Sequence, residues 1–170
     1  NIAIPFAGIV DTALMGHLNN VKFLAAISIA TSVITMIFWS FGFLRMGTVG
    51  LVAQAFGKKD YNQVILSFVR NLILAISIGL IIIFFKEPII FSIEHFFRTS
   101  EETHGLINRY ISIRILSAPA ELMIYVLVGL YLGLQKTIIS SLMISIFSVG
   151  NIILSTVFVI YFDLEIFGVA

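Results

Sequence analysis

Cysteine is absent from the 170 residues, which excludes disulfides, thiolate metal sites and cysteine nucleophiles. Charge is almost as scarce. Only 11% of the residues are Asp, Glu, Lys or Arg, where a soluble domain carries about a quarter. The net charge of +1 leaves no basic patch to mark a nucleic-acid partner. No glycine-rich phosphate cradle with its lysine is present, which argues against ATP hydrolysis. His95 and His104 lack the spacing of a metal pair. Asp11 and His17 are six residues apart and so fall on different faces of a helix, where they do not form an acid–base pair. These absences exclude the common enzyme classes.

What the chain does contain is hydrocarbon: 59% of it is hydrophobic, with a mean hydropathy of +1.09. A water-soluble fold of this size cannot hide so much apolar surface. Lipid can accept it. The expected fold class is therefore all-α, a polytopic helical membrane protein with about five transmembrane helices and no soluble domain. The helices are placed at about residues 1–16, 23–56, 64–85, 107–134 and 138–161.

The first stretch ends at His17 and the turn-like Asn19–Asn20. It is short of the roughly 20 residues needed to cross about 30 Å of hydrocarbon. The chain thus reads as a fragment that opens inside a first helix and closes just before a sixth. Pro5 lacks an amide proton and is expected to bend this first helix. The second stretch is long enough to cross and project beyond the bilayer, and Gly42, Gly47 and Gly50 permit close approach or a kink. Arg45 within it reads as snorkelling to an interface. The third stretch ends at Lys86-Glu87-Pro88, followed by a short amphipathic interfacial piece carrying Glu94 and His95. Thr99 or Ser100 is a candidate N-cap for the fourth stretch, which carries Arg109, Arg114, Pro119 and Glu121. Lys58, Lys59 and Lys136 in the second and fourth loops place those loops on the cytoplasmic side. The third and fifth loops are acidic, so the N-terminus is expected to be cytoplasmic.

With the helices placed, the sequence resembles a known family. Ile4-Pro5 through Gly8, Asp11-Thr12 and Gly16-His17-Leu18 resemble the first helix of the multidrug and toxic compound extrusion (MATE) transporters, specifically the DinF-like branch. Phe41 through Arg45, Gly47, Gly50, Gln54 and Gly57 resemble its second-helix signature. Tyr110 through Arg114, Ser117-Ala118-Pro119-Ala120 and Gly133-Leu134-Gln135 are similar to its fourth helix, and Asn151 to Leu154 to its fifth. The resemblance implies a twelve-helix antiporter of two lobes, of which these residues form part of the N-terminal one. It also implies export of small organic, often cationic, compounds against a proton gradient, with sodium as the second choice. No cofactor beyond that coupling ion is implied. The partners expected are substrate, lipid bilayer and the remaining C-terminal lobe, in a bacterial inner membrane.

Asp11 matches the family's cation-coupling aspartate. An ionisable group in a membrane-length apolar context is costly and reads as functional by default. The competing reading is a structural Asp bonded to a neighbouring helix. Many members carry an aspartate four residues after the fifth-helix asparagine, where this chain has Ser155 after Asn151. Glu121 lies two residues past Pro119, where the branch usually carries a small or hydroxyl residue. It either replaces the missing carboxylate or pairs with an arginine or a backbone amide. Asn151, Ser155 and Glu121 are thus supporting candidates, while Pro5 and Pro119 are candidate kinks. Phe38, Trp39 and Phe41 could hold a cation on an aromatic face. Two other classes stay open: a flippase for lipid-linked sugars, and a non-transporting scaffold or degenerate remnant.

Overall fold

The computed structural model describes residues 21–96 and 101–160. Every described secondary-structure element is helical. They run α1 (Val21–Ser40), α2 (Phe43–Gly57), α3 (Tyr61–Phe84), α4 (Lys86–Phe96), α5 (Glu101–Arg114), a 3-10 turn (Ile115–Ser117), α6 (Ala118–Gly133) and α7 (Thr137–Ile160). Four helical stretches are long and apolar enough to cross a membrane: Ser28–Gly57, Tyr61–Phe84, Ile107–Gly133 and Thr137–Leu154. The first expected helix, with Pro5 and Asp11, lies outside the described residues.

Two expected continuous helices are interrupted. The second stretch breaks at Phe41–Gly42, where the Phe41 and Gly42 amides turn back to Phe38 and Trp39 carbonyls at 3.0 Å each. The fourth breaks at Ile115–Ser117, and Pro119 stands in the first turn of α6. There the missing N–H costs nothing, because first-turn amides have no intrahelical acceptor. Pro88 is likewise near the start of α4, so a helix resumes at Lys86 directly after Phe85. The expected gap between the third stretch and the interfacial piece is one residue wide.

The chain divides into two units. One holds residues 1–35, 85–116 and 145–170. Its described core is built from Ala30, Ile34, Ile90, Ile93, Tyr110 and the stripe Ile107, Ile111, Ile115. Thr31 Oγ1 donates to the Tyr110 hydroxyl at 3.3 Å, joining α1 to α5.

The other unit holds residues 36–84 and 117–144, with α2, α3 and α6 packed together. Glycine sets how closely. A Cβ added at Gly129 would lie 2.8 Å from the Arg45 carbonyl and 2.8 Å from Thr48 Cβ, and one at Gly133 would lie 2.7 Å from Val52 Cβ. Advancing four residues on α6 advances four on α2, so these two helices run parallel. Asn71 lies against Thr48 and Val64 packs with Ala55, so α3 runs antiparallel to α2. At Gly79 an added Cβ would sit 2.5 Å from Pro119 Cα, backbone against backbone. Packing of this kind supplies helix association where lipid removes the hydrophobic drive.

These contacts predict a graded response in the full-length protein. Gly79→Ala should cost about 1–3 kcal/mol, since overpacking against a backbone has no flexible side chain to yield. Gly57→Ala, with open space around it, should stay within about 0.5 kcal/mol. Thermal unfolding of the purified protein in detergent checks the pair. Equal melting temperatures would refute the close-packing account.

Candidate functional site

The expected site residues fall in different places. Asp11 and Pro5 lie outside the described residues. Asn151 and Ser155 are four apart on α7 and so share a helix face. Asn151 is exposed in the unit that contains it. Glu121 belongs to the other unit, in the first turn of α6. It is half-buried and already engaged in a polar or electrostatic interaction.

Around Glu121 the second unit assembles a polar cluster. Tyr125 follows Glu121 by four residues and Gly129 by four more, which puts all three on one face of α6. Gly129 rests on the backbone of Arg45, so this face is the one turned to α2. Both Glu121 and Arg45 act electrostatically on the half-buried Tyr125 hydroxyl. Chain direction explains why Arg45 reaches it. Side chains on a helix tilt toward its N-terminus, and for α2 that is away from the Lys58 end. Arg45 itself is exposed, so its charge acts on Tyr125 from the surface of the unit. Lys86 and Glu87, by contrast, make a simple neighbour pair at 3.3 Å with the Glu87 side chain exposed.

A second polar contact lies between α2 and α3. Thr48 is fully buried. Its hydroxyl donates to the Leu44 carbonyl at 2.6 Å and accepts from Asn71 Nδ2 at 3.1 Å. Neither residue stood out in the sequence, because a single Thr and a single Asn in apolar runs carry no motif. Of the candidate aromatics, Phe38 is 6% exposed and belongs to the core, whereas Trp39 is 77% exposed. The Phe41 and Phe43 rings lie 6.1 Å apart across the break between α1 and α2. Of the three candidates, Trp39 is exposed and Phe41 half-buried. No cluster of three or more metal-ligating side chains occurs among the described residues.

Comparison with known proteins gives this geometry its setting. The sequence profile of the family described as MatE matches residues 1–157. The DNA damage-inducible protein F of Escherichia coli K12 is 34% identical over 170 residues, covering 100% of this chain and 37% of that protein. The multidrug export protein MepA of Staphylococcus saprophyticus is 28% identical over 167 residues, covering 96% of this chain and 36% of that protein. The chain thus spans little more than a third of these relatives' length. Among solved structures, a MOP superfamily transporter from Pyrococcus furiosus matches at a TM-score of 0.87 and 22% identity, over 98% of this chain and 37% of that one. An outward-facing multidrug resistance MATE family transporter matches equally well, with a TM-score of 0.87 and 22% identity over the same shares. At these identities the structures show a shared fold.

Thr48 provides the test of the contact between α2 and α3. Thr48→Val keeps the shape but leaves the Asn71 amide without its acceptor in an apolar setting. Such interhelical bonds in membranes contribute about 0.6–2 kcal/mol, so the melting temperature should fall. Asn71→Leu in the Thr48→Val background should recover part of the loss, since removing both partners spares the unpaired group. Independent, additive effects in this double-mutant cycle would show that the bond contributes nothing.

Proposed function

The chain belongs to the MatE family, and from that premise we propose that it forms part of a secondary exporter of small organic compounds. The observation that carries the reading is the family match across residues 1–157, together with full-chain similarity to proteins described as multidrug exporters. The membrane-spanning helices and the MATE-like fold support it. Coupling is to a proton gradient, with sodium as the second candidate. The substrate-bearing and ion-bearing states alternate in their access to the two sides of the membrane. The protein lies in a bacterial inner membrane with its N-terminus cytoplasmic, as the lysine-bearing turns at Lys58–Lys59 and Lys136 indicate.

Asp11 is the proposed coupling carboxylate. In a low-dielectric setting the two protonation states of such a group differ strongly in cost. Its occupancy can therefore bias a two-state element, and a transporter requires one biased differently by ion and substrate. Asn151 and Ser155 carry amide and hydroxyl groups, and neither can carry a proton charge. Their chemistry suits ligand orientation rather than proton release. Glu121 is the second candidate carboxylate, and its place one turn from Tyr125, on which Arg45 also acts, favours a charge-paired role.

Efflux of a fluorescent organic cation from proteoliposomes of the full-length protein, under imposed proton or sodium gradients, tests the proposal. The wild type should respond to the proton gradient, and Asp11→Asn should lower that response by about tenfold or more. Glu121→Gln should retain gradient-driven efflux and its pH dependence. Full efflux in Asp11→Asn with loss in Glu121→Gln would transfer the coupling role to Glu121. No efflux from the wild type under either gradient would reject the exporter reading.

A further inference from the structure

The second unit ends in two turns of the same construction. After α2, the Lys58, Lys59 and Asp60 amides donate to the Gln54, Phe56 and Ala55 carbonyls at 3.2, 2.9 and 3.0 Å. After α6, the Leu134, Gln135 and Lys136 amides donate to the Leu130, Leu132 and Tyr131 carbonyls at 2.9, 3.0 and 2.9 Å. The left-handed residue is Lys59 in one (φ 57) and Gln135 in the other (φ 61). Each turn closes its own helix by backbone bonds alone. Lys58, Lys59 and Lys136 are therefore not needed as caps, and all three are exposed.

The register between helices gives the relative depth of these groups. Because α2 and α6 are parallel, both turns lie at the same end of the unit. Gly133 packs on Val49 and Val52. Asn71 bonds to Thr48, so Arg70 on α3 also stands level with Val49 and the end of α6. Arg70 thus marks an inner tier with Lys136 a few ångströms outside it, and Lys58 and Lys59 stand about 13 Å further out than Arg70 at 1.5 Å per residue. A headgroup layer is about 5–8 Å thick on each side of the hydrocarbon. The two tiers bracket it.

The interval between the tiers has the surface of a membrane interface rather than of a cytosolic loop. Tyr61, Ile65, Leu66 and Val69 are exposed there, Tyr61 and Ile65 at 62% and 61%. Arg70 is exposed on α3, whose N-terminus is the lysine-bearing end. The tilt of its side chain is therefore toward the headgroups. Among the described residues none of these four cations makes an ion pair. The acids of this unit do not neutralise them. Asp60 accepts the Gln63 amide at 3.0 Å as the N-cap of α3, and Glu121 lies twelve residues before Gly133, about 18 Å along the helix.

We propose that this end of the unit is a docking surface for anionic phospholipids. Arg70 and Lys136 meet the phosphates, and Lys58 and Lys59 meet the headgroups beyond. The inference rests on the membrane placement of the helices and not on the exporter reading, so either can fail alone.

Native mass spectrometry of the full-length protein titrated with phosphatidylglycerol or phosphatidylcholine tests it. The wild type should retain phosphatidylglycerol in preference, and the preference should fall as salt rises. Arg70→Gln and the triple variant Lys58→Gln/Lys59→Gln/Lys136→Gln should each weaken phosphatidylglycerol binding, by about fivefold per cation removed. Phosphatidylcholine binding should not change. The lysines are on exposed turns, so the triple variant remains informative if Arg70→Gln does not fold. Equal retention of the two lipids would overturn the proposal, as would a preference that survives the triple variant. Displacement of phosphatidylglycerol by equimolar inorganic phosphate would overturn the assignment to lipid.

Discussion

A backbone amide in hydrocarbon has no water to turn to, so every interruption of a spanning helix must be repaired by protein. The described helices carry two such interruptions, at Phe41–Gly42 and Ile115–Ser117. At the first, short backward bonds from Phe41, Gly42 and Leu44 to carbonyls three residues earlier keep the ladder closed. At the second, a 3-10 turn carries the chain into α6, and proline occupies a position where its missing donor is not required. Both repairs place charged residues in the first turn of the following helix, Arg45 on α2 and Glu121 on α6. Discontinuous helices near the middle of the bilayer recur where transporters build ion and substrate sites. Here the same construction brings Tyr125 under the influence of both charges.

The second constraint is distance. Arg45 and Tyr125 interact across α2 and α6 because Gly129 removes the side chain that would hold those backbones apart. Gly133 and Gly79 do the same for Val52 and Pro119. Close backbones multiply weak dispersion contacts, and between α2 and α3 the Thr48–Asn71 hydrogen bond adds a polar tie. Small residues and polar residues are thus one design here. The glycines set the approach of α6 to α2 and α3, and the buried Thr48 hydroxyl with the Asn71 amide ties α2 to α3.

Much of this organisation was legible in the sequence. Apolar run lengths marked the spans, and scarce charge marked lipid as solvent. The signature from Phe41 to Gly57 and the Ser117-Ala118-Pro119-Ala120 stretch carried the family resemblance. The break at Phe41–Gly42 was not legible as a break, because glycine in an apolar run equally signals close packing. Pro119 was readable as a kink but not as the beginning of a separate helix, since that depends on whether the preceding turn tightens. Arg70 is the clearest omission. In one dimension it sits nine residues into a 24-residue helix and reads as a deep charge. Only the register against α2 and α6 brings it level with Gly133, near the interface. Depth is a property of helix pairs, and single-chain hydropathy does not contain it.

Glu121 shows how placement narrows chemistry. As a residue in an apolar run it could equally replace the fifth-helix carboxylate or neutralise an arginine. The structure puts it on the α6 face that looks toward α2, one turn from Tyr125, with Arg45 acting on the same hydroxyl. Asn151, which has Ser155 and not an acid four residues on, belongs to the other unit. Glu121 and Arg45 thus act on one hydroxyl with opposite signs. A coupling carboxylate has a different requirement, since it must exchange its cation in every cycle. That requirement is the physical ground on which Asp11, in the stretch that carries the family signature, is the carboxylate proposed for coupling.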